Sequence, residues 1–151
     1  MKAYLSKIKE LRDKTGISVG DCRAALEKAD GDISRALKLL QERGAEVAEK
    51  KADRALGSGL VETYVHAGKV GAMLELACET DFVARTDDFK NLAHELAMQV
   101  ASMDPKDVKE LESQDYIRDT SLKIKDLVTN AIGKIGENIV IKRFMRFELG
   151  N

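Results

Sequence analysis

The sequence has few of the residue types that build covalent or metal-bound scaffolds. Its 151 residues include one proline, two cysteines, two histidines and no tryptophan. Cys22 and Cys78 are far apart, and no pair of histidines stands near either of them. The pattern therefore predicts neither a zinc site nor a disulfide framework. We expect no metal, no cofactor and a reducing compartment, the cytoplasm, as the location.

An excess of either charge and long apolar runs are also lacking. Lysine and arginine total 25 against 26 aspartates and glutamates, which leaves a net charge of -1. A protein that binds nucleic acid needs a basic surface to neutralise phosphates, so nucleic acid is not an expected partner. No stretch approaches the roughly 20 apolar residues of a membrane span, and Met1–Lys7 is amphipathic, unlike the apolar run of a signal peptide. We therefore expect a soluble globular protein that does not associate with membranes.

The sequence offers no recognisable active site. His66 and His94 fall in unrelated predicted elements, and no nucleophile stands at a fixed spacing from either of them. The run Gly57–Gly59 lacks the third glycine of a dinucleotide-binding loop and precedes a strand, and no glycine loop with a phosphate-binding lysine is present. We expect the protein not to be an enzyme.

Three short helices are predicted for residues 1–44. A glycine after Thr15 ends the first helix, Ser18 with Asp21 three residues later starts the second, and Gly44 ends the third. Each helix carries apolar residues at the spacing of one helical face. These residues are Leu5, Ile8 and Leu11, then Val19, Cys22, Ala25, Leu26 and Ala29, then Ile33, Ala36, Leu37 and Leu40. Residues 45–57, rich in alanine, glutamate and lysine, predict a solvated helical connector.

Residues 58–151 predict a second domain of α+β class, a small three-stranded antiparallel sheet packed with helices. The expected strands are Leu60–His66, Val70–Cys78 and Ile139–Leu149, with one helix after Thr86 and another from about Thr120. In the last strand, alternation places Ile139, Ile141, Met145 and Phe147 on one face and Val140 and Phe144 on the other. The second face of the sheet would then carry Met73, Ala77, Val140 and Phe144, a partly apolar surface that predicts self-association.

The corner between the second strand and the following helix, residues 79–85, has two interpretations. Thr80 is a good helix N-cap, and Asp81 in the first turn suits the helix dipole. Phe82 either tucks under the next helix as a core residue or projects, with Asp81, as a wedge that enters a partner protein.

The run Cys78–Arg85, read as Cys-Glu-Thr-Asp-Phe-Val-Ala-Arg, resembles the signature of the elongation factor Ts family. The resemblance implies a guanine-nucleotide exchange factor that binds elongation factor Tu·GDP, disturbs its magnesium and nucleotide site and promotes GDP release. It assigns Thr80, Asp81, Phe82 and Val83 to the displacement of magnesium. Arg12 and the loop around Val19 would make secondary contacts with the GTPase.

The resemblance extends to both ends of the chain and includes two departures. Residues 1–44 resemble a ubiquitin-associated (UBA-like) domain, but Val19–Gly20 stands where family members usually carry a methionine pair. The chain also has room for only one core subdomain, with a segment missing between about Asp104 and Tyr116, so a homodimer giving a 2:2 complex is implied. The alternative function is a UBA-like adaptor that binds ubiquitin-like or peptide partners through residues 1–44.

Overall fold

The computed structural model describes residues 1–151 as seven helices and two small antiparallel sheets, which confirms the α+β class. The helices are α1 (Lys2–Thr15), α2 (Val19–Lys28), α3 (Ile33–Lys51), α4 (Asp81–Ala84), α5 (Asp87–Met103), α6 (Val108–Ser113) and α7 (Ile124–Ile135). The strands are β1 (Ser58–His66), β2 (Val70–Cys78), β3 (Asp115–Tyr116), β4 (Asp119–Lys123) and β5 (Val140–Glu148). None of the helices combines the length and the apolar character that crossing a membrane requires.

The first three helices enclose an apolar cluster of their own. Leu11, Cys22 and Leu26 are fully buried at its centre. The predicted boundaries between α1 and α2 are confirmed. Gly16 follows α1 in the left-handed conformation at φ 67°, and the Ser18 side chain accepts a hydrogen bond from the Asp21 amide at 3.1 Å. The glycine turn and the cap hydrogen bond both involve residues close together in the chain, so the sequence alone indicated them.

The third helix does not end at Gly44, as the sequence predicted, but continues to Lys51. Gly44 is buried because α3 packs closely on α7. A Cβ atom added to it would lie 3.1 Å from the Thr129 carbonyl oxygen, and one added to Gly133 would lie 3.4 Å from the Gly44 Cα. The glycine thus permits a close helix crossing. The division of the chain into domains at residues 44 and 57 stays a prediction.

The three-stranded sheet has the order β1-β2-β5 with antiparallel pairs throughout. Helix α5 packs on one face and contributes Phe89, Leu92, Ala93, Leu96, Ala97 and Val100 to the main apolar cluster. From the sheet, Leu74, Leu76 and Cys78 of β2 are fully buried in the same cluster. This cluster is the larger of the two in the molecule, and it lies directly beneath the corner that leads from β2 to α5.

The predicted alternation along the last strand is wrong. The register shifts between Glu75 and Leu76, so that Leu76 pairs with Ile141 while Leu74 pairs with Phe144. This bulge places both Ile141 and Phe144 against the core. Met145 and Phe147 are instead 59% and 72% exposed on the outer face, with Met73 at 53%.

Two other members of the predicted apolar face also differ from expectation. Ala77 is buried, and Val140 is half-buried. The exposed apolar side chains on the outer face of the sheet therefore belong to Val61, Val65, Met73, Met145 and Phe147. We refer to these five residues below as the outer sheet face.

The last helix begins later than about Thr120. Residues Asp119–Lys123 form β4, which pairs with β3, and α7 starts at Ile124. The Asp119 carboxylate accepts hydrogen bonds from the amide and hydroxyl of Ser121 at 3.1 and 2.6 Å, which favours a turn over a helix here. The helix then begins where the Lys123 amide donates to Asp126 Oδ2 at 2.9 Å.

Candidate partner-binding corner

Residues 79–85 form a tight corner built from two consecutive threonine caps. Thr80 precedes α4, and its hydroxyl accepts a hydrogen bond from the Val83 amide at 3.4 Å. Thr86 precedes α5, accepts from the Phe89 amide at 3.3 Å and donates to the Val83 carbonyl at 2.7 Å. Because α4 has a single turn, the chain leaves the sheet, turns once and immediately starts a long helix. The cap predicted at Thr80 is confirmed.

Phe82 projects from this corner into solvent. Its side chain is 77% exposed, whereas the neighbouring Ala84 is buried and Val83 packs partly against the main apolar cluster. A single helical turn can direct only part of its residues inward, and in α4 those are Val83 and Ala84. Of the two interpretations of Phe82, the core residue is therefore wrong, and the projecting side chain is the one observed.

Asp81, next to Phe82, forms an exposed ion pair with Arg85. Its Oδ2 atom accepts a hydrogen bond from Arg85 Nη2 at 2.9 Å, and the Asp81 side chain is 56% exposed. Exposed pairs of this kind contribute about 0 to 1 kcal/mol, so little holds the carboxylate to its own chain. An acidic group next to an exposed aromatic ring is thus free to exchange Arg85 for a group on another molecule.

Glu137, in the turn between α7 and β5, supports the corner although it lies far from it in the chain. Glu137 Oε1 accepts hydrogen bonds from the amides of Glu79 and Thr80 at 3.1 and 3.0 Å. Its other oxygen, Oε2, accepts from the Thr80 hydroxyl at 2.7 Å. No local pattern in the sequence connects Glu137 with residues 79 and 80, which lie 58 and 57 positions away.

Glu79 reaches back to the turn that carries Glu137. Its Oε2 atom accepts a hydrogen bond from the Asn138 amide at 2.8 Å, and its Oε1 atom lies 3.5 Å from Arg54 Nη1. Asn138 is buried, and its side-chain amide donates to the carbonyls of Ala52 and Arg54 at 3.4 and 3.3 Å. The corner, the α7–β5 turn and the segment after α3 therefore meet in one hydrogen-bonded junction.

Cys78 lies buried below the corner and donates a hydrogen bond to the Thr80 carbonyl at 3.2 Å. Burial raises the pKa of its thiol, and the negative charges of Glu137 and Glu79 raise it further. A thiol in this setting is a poor nucleophile because the thiolate is the reactive form. No group of three or more histidines, cysteines and carboxylates stands in a metal-binding arrangement.

The two N-terminal residues predicted to bind a partner lie on the helical bundle. Arg12 is exposed in the last turn of α1, and Val19, the first residue of α2, is 49% exposed. Both flank the turn at Gly16, and the apolar cluster beneath them is separate from the one beneath the corner. The structure thus brings Thr80–Val83 together at one surface and presents Arg12 with Val19 at another.

Known proteins similar to this chain point to a single family. Residues 79–151, which begin at the corner, match the family described as Elongation factor TS. The chain is 41% identical over 194 aligned positions to elongation factor Ts of Thermotoga neapolitana, with 99% of this chain and 98% of the relative covered. It is 39% identical over 197 positions to elongation factor Ts of Herpetosiphon aurantiacus, with both chains fully covered.

These alignments extend over more positions than the 151 residues of this chain, so the relatives carry a segment that it lacks. That the missing segment lies between about Asp104 and Tyr116 and shortens the core stays a prediction. Identity at this level over essentially the whole of both chains exceeds what a shared fold alone would give. The chain belongs to the elongation factor Ts family, and it is a translation elongation factor.

Proposed function

We propose that this protein is a guanine-nucleotide exchange factor that binds elongation factor Tu·GDP, disturbs the magnesium and nucleotide site and promotes replacement of GDP by GTP. The observation that carries the proposal is the exposed Phe82, held at a capped and hydrogen-bonded corner inside the region that matches the family. A large aromatic side chain that projects from a capped turn and contributes little to its own core suits insertion into a partner.

Exchange of this kind follows from differential binding. The factor must bind the nucleotide-poor form of the GTPase more tightly than the GDP-bound form. By the same ratio, bound GDP then lowers the affinity of the GTPase for the factor. Each tenfold change requires about 1.4 kcal/mol of difference between the two states. Such a protein acts by binding alone and transfers no chemical group, so we propose that it is not an enzyme and needs no cofactor.

Within this proposal, each corner residue has a role that follows from its side chain. Phe82 supplies apolar volume, and burying a phenylalanine contributes about 1.5–3 kcal/mol, enough for a tenfold to hundredfold shift. Asp81 adds a carboxylate that can leave Arg85 for a polar group near the magnesium. Thr80 and Val83 keep the turn in shape through the cap hydrogen bond and through packing against the core.

Arg12 and the turn at Val19 would form a second contact with the same GTPase. Two contacts on one chain reinforce each other when their separation is fixed to suit the partner. The continuous α3 and its close packing on α7 at Gly44 support such a fixed separation. Val19–Gly20, in place of a methionine pair, offers a smaller apolar side chain at this contact.

We also propose that two copies associate through the outer sheet face. It exposes Val61, Val65, Met73, Met145 and Phe147, and Arg143 Nε pairs with Glu75 Oε1 at 3.1 Å beside them. An apolar surface of this kind is a common site of protein association. A homodimer would give the 2:2 complex with elongation factor Tu. A sharp monomer mass in light scattering at micromolar concentration and above would rule this out.

Stopped-flow release of a fluorescent GDP analogue from elongation factor Tu tests the exchange proposal directly. We expect a large acceleration that increases with factor concentration and is lost in Phe82→Ala. Met103→Ala, which truncates an apolar side chain 48% exposed at the end of α5, is the matched control and should retain full activity. No acceleration by the wild-type protein would refute the proposal and favour the adaptor function of residues 1–44.

A further inference from the structure

The corner that carries Phe82 is closed by two threonine caps but has only a small area of contact with the core. A helix of four residues is far below the length at which helices are stable alone, and Phe82 contributes little packing because it faces solvent. Only Val83 and Ala84 anchor the turn to the core. The threonine caps close the turn itself, and contacts from another part of the chain then help to fix the direction in which Phe82 points.

Two glutamates form a reciprocal contact that meets this need. Glu137 accepts from the amides of Glu79 and Thr80 and from the Thr80 hydroxyl, while Glu79 accepts from the amide of Asn138. We call this set of four hydrogen bonds the glutamate clasp. Each bond pairs a carboxylate with a backbone amide or a hydroxyl at 2.7–3.1 Å, and charge-assisted bonds of this type are stronger than neutral ones.

We propose that Glu137 is a positioning residue that holds the corner in its projecting form before the GTPase arrives. The proposal rests on the proposed function, because it assigns the corner as the part that engages the partner. Glu137 contacts the corner at Glu79 and Thr80, and in this proposal it acts on the partner through them. Its contribution is preorganisation, since a corner that holds its bound shape loses less conformational freedom on binding.

The quantitative consequence is a change in apparent affinity at an unchanged maximal rate. If the corner populates its projecting form only in part, the apparent dissociation constant increases by the inverse of that fraction. The saturated complex still contains Phe82 in the GTPase, so its rate of GDP release is preserved. Phe82→Ala should instead lower the maximal rate of GDP release, because it removes the group that acts in the complex.

The first test is a titration of the factor in the stopped-flow assay. For Glu137→Ala, which removes the three hydrogen bonds that Glu137 accepts, we expect the half-saturating concentration to increase at least tenfold, with the plateau rate unchanged. Glu137→Gln keeps one acceptor oxygen for the two amides and should restore part of the affinity. The matched control is Glu49→Ala, an exposed glutamate on α3, which should leave both values unchanged.

The second test uses the free protein and does not depend on exchange activity. Amide hydrogen exchange at Glu79 and Thr80 should become about tenfold faster in Glu137→Ala. The amide of Leu74, buried in the middle of β2, should keep its protection in the same variant. If Glu137→Ala does not fold, the same comparison is made with Glu137→Gln.

The outcomes separate the two proposals. No acceleration by the wild-type protein refutes the proposed function, while amide exchange still decides whether Glu137 holds the corner. A normal wild-type rate with an unchanged half-saturating concentration in Glu137→Ala overturns the positioning role. A lowered plateau also overturns it, because Glu137 would then act in the complex.

Discussion

The two phenylalanines Phe82 and Phe89 lie on consecutive helices, and each helix is capped by a threonine. Phe82 of α4 is 77% exposed, whereas Phe89 of α5 is fully buried in the main apolar cluster. Their local sequences are similar, an acidic first turn behind a threonine cap. The difference comes from the length and placement of the two helices.

Helix α5 has room for a full apolar stripe along the sheet, so Phe89 joins Leu92 and Leu96 in the core. Helix α4 is a single turn at the rim of the same core and can bury only two of its side chains. The same residue type therefore stabilises the fold in one helix and remains available to a partner in the other. Substitutions of the two phenylalanines and of the two capping threonines test this contrast.

Phe89→Ala should have the largest effect. Truncating a fully buried phenylalanine leaves a cavity, and we expect the free energy of unfolding to decrease by about 3–5 kcal/mol. Phe89→Leu keeps most of the volume and should cost about 1.5 kcal/mol or less. Urea unfolding followed by circular dichroism measures both. A loss below about 1 kcal/mol for Phe89→Ala would show that the two phenylalanines are less different than the structure indicates.

Substitutions of Phe82 should affect exchange and leave stability almost unchanged. We expect Phe82→Ala to slow GDP release from elongation factor Tu at least tenfold, about 1.4 kcal/mol, with Phe82→Leu between it and the wild type. The free energy of unfolding should change by less than about 0.5 kcal/mol, since the side chain is exposed. Stopped-flow release and urea unfolding on the same samples separate the two effects. A large loss of stability would contradict the projecting role of Phe82.

The two threonine caps offer a matched pair. Thr86→Ala should lower the free energy of unfolding by about 1 kcal/mol, because Thr86 caps the long helix over the core. Thr80→Ala should cost less global stability, since α4 is one turn at the surface, yet it should weaken exchange by disturbing the corner. Thr86→Ser and Thr80→Ser keep the hydroxyl and serve as controls. Equal effects of the two alanine variants on exchange would remove the distinction between the helices.

The smallest effect concerns the thiols. Burial raises the pKa of both Cys78 and Cys22, so each folded thiol holds its proton more tightly than an unfolded one. Stability from this source is fully present below the ordinary thiol pKa of 9.0 and decreases as the pH rises above it. We expect iodoacetamide at pH 8 to modify neither cysteine in the folded protein and both in urea, as mass spectrometry would show. Rapid modification of the folded protein would contradict this burial.

Much of the local structure was predictable because its contacts join residues three or four positions apart. The caps predicted at Ser18 and Thr80 are confirmed, and the helix predicted after Thr86 begins at Asp87. The errors lie where packing overrides local preference. Gly44 reads as a helix end but permits a crossing with α7, and the bulge in β5 exchanges the faces of Phe144 and Met145.

The candidate site shows the same division. The resemblance of Cys78–Arg85 located the corner, but the sequence left open whether Phe82 points inward or outward. Glu137 was missed as a support, because its partners Glu79 and Thr80 lie on another element far along the chain. No periodicity or cap rule connects residues at such a separation.

By itself, the sequence determined the α+β class, the threonine caps and the position of the corner, since short-range hydrogen bonds and side-chain periodicity encode them. Only the tertiary structure decided that Phe82 projects and that Glu137 accepts hydrogen bonds from Glu79 and Thr80. Both outcomes depend on how α4, α5 and the α7–β5 connection meet at the rim of one core. The packing of these segments brings together residues that are distant in the chain, and local sequence patterns do not specify such contacts.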